Sequence, residues 1–503
     1  MGLGLLKSLA AGYALRVRLF RARPHMTTLD AVNRALDASD FDTAFDLIEG
    51  AAATRDASQA AGFRVLEAAV YALYGPDGLQ GANAALVEAA NLDPSVLARP
   101  LFKGVRAELD AYGLEVAARE NPMNVVVAGD PRHDRAAGLA REVSGDPLAV
   151  YHAAAAFTTL GLAEDGLRAL ESVDPQKFPK HLQWRYWSWR GGAYEDLGRY
   201  REAVNAYGHA AAIADGPDRA ALLLDKAAMF LELEEPHEVL PTLEEARAAY
   251  PHGESPADEA ARLYLEARAH LELNNPSLAA ERAERARRLE REAGEPSYGA
   301  ALVHGQALAT LEQFPPALDA FREAVRLAVG LDRGFALHEY GLTQMDADEL
   351  AEARASLVEA ASVIDYPHRG EVLADLAELE SRAGNFEAAE AAARQAVTLG
   401  SIVPGTLMLA SLAAEDYRFA EALAHYHTVA GAAPEGTREW VIGHEMIADT
   451  LVQAGWKDPA EILEHSRIAL GHLEPSDEWA VTLNGYITRA TALLGGRDTR
   501  NLN

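Results

Sequence analysis

From Thr27 onward apolar residues recur at alternating steps of three and four, and Ala, Leu and Glu dominate. This is the pattern of amphipathic helices, not of strands. A longer period overlies it. An anchor position falls at Ala44, Ala82, Gly166, Ala203, Val239, Ala279, Ala317, Ala353, Ala389, Ala422 and Ala460, at steps of 33 to 40 with one step of 84. Twelve residues before these stand Val32, Val70, Ala154, Gly191, Ala227, Ala267, Gly305, Gly341, Ala377, Ala410 and Ala448. Seven residues after them comes another small or apolar side chain, as at Ala89, Ala210, Ala246 and Ala396, and only Arg467 in the last unit clearly departs. Two antiparallel helices approach closely where both present small side chains, so the offset predicts helix pairs in which a Gly or Ala of the first helix faces an Ala of the second.

Turn residues fall where such pairs need them. Gly161, Gly198, Asn274–Asn275–Pro276, Pro315–Pro316, Gly384–Asn385 and Gly455 lie between paired helices, and Asp93–Pro94, Asp174–Pro175, Gly216–Pro217, Pro251, Pro367, Pro404 and Pro434 lie between pairs. The step of 84 is about twice the usual pitch. Residues 97–146 are therefore expected to hold one degraded pair or an insertion, with helices near Arg99–Arg119 and Arg135–Val143. The organisation expected is a tail over 1–25, two pairs over 26–96, the degraded segment, a main array over 147–474, and a capping helix and tail over 475–503.

Residues 184–210 read WRYWSWRGGAYEDLGRYREAVNAYGHA. Trp187, Gly191 and Tyr194 share one helix, Gly198 marks a turn, and Ala203, Tyr207 and Ala210 share the next. This resembles the tetratricopeptide repeat, with Arg190 where that pattern usually has Leu. The resemblance implies an all-α, right-handed superhelical α-solenoid of about eleven or twelve pairs, whose first helices line an inner groove for a protein or peptide. On that implied face stand Asp30, Asn33, Asp37, Glu67, Tyr71, Tyr74, Tyr151, Thr158, Trp189 and Glu195. It continues with Leu224, Tyr264, Arg268, His338, Leu342, Asp375, Glu378, Met408, Glu445 and Asp449. Tetratricopeptide clamps for terminal carboxylates use Lys, Arg and Asn in such positions, which this face largely lacks. Tyr71, Tyr74, Tyr151, Trp189, Tyr264, Arg268, His338, Glu378, Glu445 and Asp449 are the expected groove contacts, and they suit a basic or amphipathic segment.

Composition sharpens the choice of partner. The 503 residues are 49% hydrophobic and 24% charged, as in a folded chain. With 46 Lys and Arg against 76 Asp and Glu, the net charge of −30 opposes a nucleic-acid binder, which needs a large basic face. Residues 1–25 run the other way: Lys7, Arg16, Arg18, Arg21 and Arg23 stand there with no acid. Two expectations stand for this tail: an amphipathic helix docking on anionic lipid or a partner, or a disordered extension ahead of Met26. No stretch approaches eighteen uncharged apolar residues, and cysteine is absent, which excludes disulfides and thiolate chemistry. A cytoplasmic protein is expected, with membrane association only through the tail.

Catalytic signals are sparse. The chain has no phosphate loop, zinc-protease helix or nucleophile elbow. His338–Glu339 and His444–Glu445 each lack a second His, and His425 and His427, two apart on a helix, point to different sides. Residues 125–134, VVVAGDPRHD, read as a short strand entering a loop with Asp130, His133 and Asp134; a metal-phosphoesterase reading competes with one in which Asp134 caps a helix. In the aromatic cluster Trp187 is expected in the core, while Trp184, Tyr186 and Trp189 are either exposed partner contacts or packing. No cofactor, metal or catalytic residue is expected. The first functional reading is a non-enzymatic interaction scaffold; the alternative is the ligand- or peptide-sensing repeat component of a bacterial regulatory or signalling system.

Overall fold

A computed structural model describes residues 28–38, 40–73, 75–120, 130–251, 253–474 and 476–495. The basic stretch 1–25, Tyr74 and residues 121–129 lie outside the described residues. The described chain is all-α: helix follows helix, paired by short turns, in two compact units, Met1–Glu254 and Ser255–Asn503. The boundary between them falls inside the stretch 147–474 expected as one array.

In the first unit the pairs are α1 (Thr28–Asp37) with α2 (Phe41–Ala52), α3 (Ala57–Ala72) with α4 (Leu79–Leu92), and α5 (Pro100–Glu120) with α6 (Pro131–Arg141). Then come α7 (Pro147–Thr159) with α8 (Ala163–Glu171), α9 (Lys180–Asp196) with α10 (Tyr200–Ile213), and α11 (Gly216–Glu232) with α12 (Pro236–Ala248). The degraded segment thus holds two helices, and α5 packs on α7 as well as on α6. Gly104 allows that approach, since a Cβ there would stand 2.6 Å from the Ala149 carbonyl oxygen. This unit departs from nearest-neighbour stacking. α1 also packs on α9: the backbone N–H of His181 donates to Asp37 at 2.8 Å, 144 residues away in sequence. Leu101 and Leu148 pack against both the α1–α3 core cluster and the two clusters beyond it.

In the second unit the pairs are α13 (Pro256–Glu272) with α14 (Pro276–Ala293), α15 (Tyr298–Thr310) with α16 (Phe314–Leu327), and α17 (Gly330–Asp346) with α18 (Leu350–Ser362). They continue with α19 (Arg369–Arg382) and α20 (Phe386–Thr398), α21 (Ile402–Glu415) and α22 (Phe419–Ala432), and α23 (Arg438–Gln453) and α24 (Pro459–Leu470). α25 (Glu478–Leu494) closes the unit against α24 and α23. Successive first helices touch throughout, from α13 to α15 and onward to α25. The unit therefore has one continuous first-helix layer.

Local chemistry repeats with the pairs. The second-helix anchor is the fourth residue of its helix, as at Ala203 in α10, Ala317 in α16 and Ala389 in α20, each fully buried. Opposite it, however, the first-helix glycine accommodates a large side chain one turn further on, not the small anchor. A Cβ at Gly191 would stand 2.6 Å from the Tyr207 ring, and Gly305 and Gly341 lie equally close to Phe321 and Leu357. In each intra-pair turn from α7–α8 to α21–α22 the residue after the first-helix cap is left-handed: Gly161, Gly198, Glu234, Asn274, Glu312, Asp348, Gly384 and Tyr417 all have positive φ. The next N–H reaches five residues back, as from Arg199 to Tyr194 at 2.8 Å and from Gln313 to Leu308 at 2.9 Å, satisfying carbonyls the helix end would leave free.

The last pair corrects the sequence register. Ala460 is exposed, and the anchor of α24 is Ile462, fully buried, with Ala469 buried seven residues on. The turn carries two more residues than its counterparts, with both Gly455 and Trp456 at positive φ, so Arg467 is simply out of register.

Candidate functional site

The first-helix layer of the second unit collects the polar and aromatic side chains. Tyr264 lies half-buried over Gly299, whose missing Cβ leaves room for the ring at 3.2 Å. Tyr298 of the next first helix sits among Tyr264, Arg268 and Asp332; its hydroxyl hydrogen-bonds Asp332, and burial with that bond pushes the phenol well above its ordinary pKa. One pair further, the His338 ring nitrogen Nε2 is 2.6 Å from Asp375, while Tyr366 approaches its other nitrogen at 3.4 Å. Glu339 beside it is pushed upward by burial. Glu378 is exposed on α19.

Glu445 and Asp449 are placed differently: both are buried. Asp449 accepts from the Tyr486 hydroxyl of α25 at 2.6 Å and from Gln453. Burial, then the nearby Asp477 carboxylate, pushes Glu445 up to about 7. The closing helix thus covers the end of the layer.

In the first unit Tyr151 is buried and meets Trp189 edge-on at 6.3 Å, and Tyr71 is half-buried, its ring 4.4 Å from Phe45. A cleft of 390 Å³ opens beside them between α1 and α9, lined by Asp37, His181, Trp184, Arg185 and Asp218 among others. The Arg185 guanidinium stands 5.0 Å from the Trp184 ring centre and donates to the Tyr151 hydroxyl and the Leu73 carbonyl.

Within the aromatic cluster the core position belongs to Tyr186, 1% exposed, and not to Trp187, which is half-buried between Tyr186 and His209. Arg190 is accommodated by that arrangement: its guanidinium lies over Trp187 and donates to the Tyr194 hydroxyl at 2.7 Å. Asp130, not Asp134, caps α6, accepting from the Arg132 N–H, and the His133 ring pairs with the Leu160 carbonyl at 3.2 Å. Those two residues are accounted for structurally.

Two groups escaped the sequence reading. Tyr298 and Asp332 stand seven and nine residues before their first-helix anchors, one turn beyond the face implied by the resemblance. The second group is a histidine cluster at the far end of the unit. His427 of α22 contacts Glu461 of α24 at 2.9 Å, and His444 of α23 meets His465 of α24, Nδ1 to Nδ1, at 2.6 Å. The only sequence signal is the Glu461–His465 spacing of four, which puts both on one helix face.

A tetratricopeptide repeat family model matches residues 185–215, the pair formed by α9 and α10. That pair is a tetratricopeptide repeat, and the same all-α pairing and turn geometry recur in the helix pairs of both units among the described residues. No curated protein matches the chain. Among solved structures it is similar to yeast Tom70, with 12% identity, covering 93% of this chain and 96% of that one at a TM-score of 0.40. Pseudomonas aeruginosa PilF shares 15% identity over 46% of this chain and 99% of its own, at a TM-score of 0.38. The Cut9–Hcn1 structure shares 12% identity over 87% and 97%, at 0.37. The fold assignment rests on the helix pairs and on residues 185–215. Among the described residues no helix is long and apolar enough to cross a membrane.

Proposed function

We propose that the chain is a non-enzymatic scaffold whose first-helix layer over residues 255–503 docks a basic or amphipathic segment of a partner protein. The supporting observation is the unbroken contact of successive first helices, which gathers Tyr264, Arg268, Tyr298, His338 and Glu378 onto one layer. Half-buried aromatic rings beside carboxylates provide faces for cations and apolar contact for the intervening residues. Exposed carboxylates supply steering more than affinity. Glu445 and Asp449, buried under α25, fall outside this surface, and Tyr71, Tyr151 and Trp189 belong to the first unit.

Fluorescence anisotropy with a labelled Lys/Arg-rich amphipathic peptide and an acidic peptide of equal length tests the charge preference. Only the basic peptide should bind, more weakly as salt rises, and Tyr264→Ala with Glu378→Lys should weaken it at least tenfold. Co-purification from the native cell tests the site itself; a partner set unchanged by those two substitutions refutes it.

A further inference from the structure

Three successive helices at the end of the second unit bring together side chains with no role in the proposed docking layer. Ligand atoms of His427, Glu461 and His465 lie within 4.8 Å of one another. Two of them, His427 Nε2 and Glu461 Oε1, are 2.9 Å apart. A tetrahedral zinc site with ligand bonds near 2.1 Å separates its donor atoms by about 3.4 Å. One donor pair therefore already has roughly that spacing, and small rotations of the third side chain would close the triangle. We propose that His427, Glu461 and His465 form a binding site for a divalent transition-metal ion of the zinc type, with its remaining coordination position open to solvent.

Three features support the site. Two imidazoles and a carboxylate are a donor set that zinc uses, and Mg²⁺ or Ca²⁺, which prefer oxygen, would not be served by it. Glu461 and His465 stand four apart on α24, a spacing that projects both from one helix face, and α24 is held against α23 and α25. His444 orients one ligand from behind: at 2.6 Å between Nδ1 atoms, one nitrogen carries the proton and the other accepts it. Its ring meets that of His465 edge to edge, with centres 4.8 Å apart, and is itself backed by Trp440 at 4.4 Å. Such a partner fixes the tautomer and ring plane of a metal ligand.

The side chain of His427 is 45% exposed, so the ion has a path from solvent and an open face. The ligands come from the second helices of two successive pairs, α22 and α24. A bound ion would clip those pairs together next to the closing helix.

Isothermal titration of the full chain with ZnCl₂ at pH 7.5, in a buffer that does not chelate, tests the proposal. One saturable site with a dissociation constant in the micromolar range or tighter is expected. His427→Ala and Glu461→Gln should each weaken it at least tenfold, His465→Ala should abolish it, and His237→Ala, an exposed histidine of the first unit, should leave it unchanged. Saturating Zn²⁺ should also raise the melting temperature of the wild type but not of the His427→Ala chain, since only the folded state holds the ion. Circular dichroism checks each fold; if His465→Ala does not fold, the exposed His427→Ala decides alone. Absence of saturable binding, equal binding of Mg²⁺, or Zn²⁺ affinity unchanged in a His427→Ala/Glu461→Gln chain overturns the site.

Discussion

Gly305 and Gly208 show how one residue type can have opposite effects within one repeat architecture. At Gly305 a methyl group would meet the Phe321 ring at 2.8 Å, whereas at Gly208 it would meet nothing within 4 Å. Gly305→Ala should therefore destabilise the chain by about 1–3 kcal/mol through overpacking. Gly208→Ala, within α10, should stabilise it by roughly 0.5–1 kcal/mol through lower unfolded-state entropy. Urea unfolding of the two variants checks both signs. Glu445 gives a pH-dependent counterpart. Its folded carboxyl is raised to about 7 from an ordinary 4.5, so the folded state holds a proton there that the unfolded state has lost. The resulting stabilisation is complete below pH 4.5 and disappears as pH rises through 7. Glu445→Gln should raise stability at pH 8 by roughly 1–2 kcal/mol and have little effect at pH 4.5, read from denaturant midpoints at the two pH values. His444, lowered to about 4, acts in the other direction, losing stability as pH falls from 6.5 toward 4.

At the scale of the element, the turn between paired helices keeps one geometry while its residues change. Glu312 takes the left-handed position that Gly198 takes elsewhere, with the same backbone bond from the following N–H. Glu312→Gly should relieve the Cβ clash and stabilise by about 1 kcal/mol, a rise in melting temperature that calorimetry can read. These turns also explain what the sequence disclosed. The anchors from Ala203 to Ala422 keep a constant offset of twelve from their first-helix partners because every turn within those pairs has three residues. At α24 two extra turn residues moved the anchor to Ile462, and an offset counted from Ala448 could not register the change. The exchange of Trp187 for Tyr186 in the core arises in the same way, since one position along a helix rotates a side chain by about 100°. The histidine cluster was beyond reach for a different reason: His427, His444 and His465 become neighbours only when three helices are stacked in register.

For the whole molecule, an excess of 30 negative charges makes stability depend on ionic strength. Raising NaCl from about 10 to 150 mM shrinks the screening length from roughly 30 to 8 Å, so the melting temperature should rise; a fall would mean that ion pairs such as Arg64–Glu67 outweigh the net repulsion. The contact of α1 with α9 has a consequence in time. Asp37 leaves the ribosome 144 residues ahead of His181, the residue it binds. At about 5–20 residues per second this is an interval of roughly 7–30 s. During that interval the first pair is synthesised but lacks one of its supports, while pairs of the second unit meet their neighbours almost as soon as they emerge. Translation therefore completes the amino-terminal unit from its far end backwards, and nascent chains arrested before residue 181 should leave α1 open to protease while α14 to α16 in a finished chain are protected.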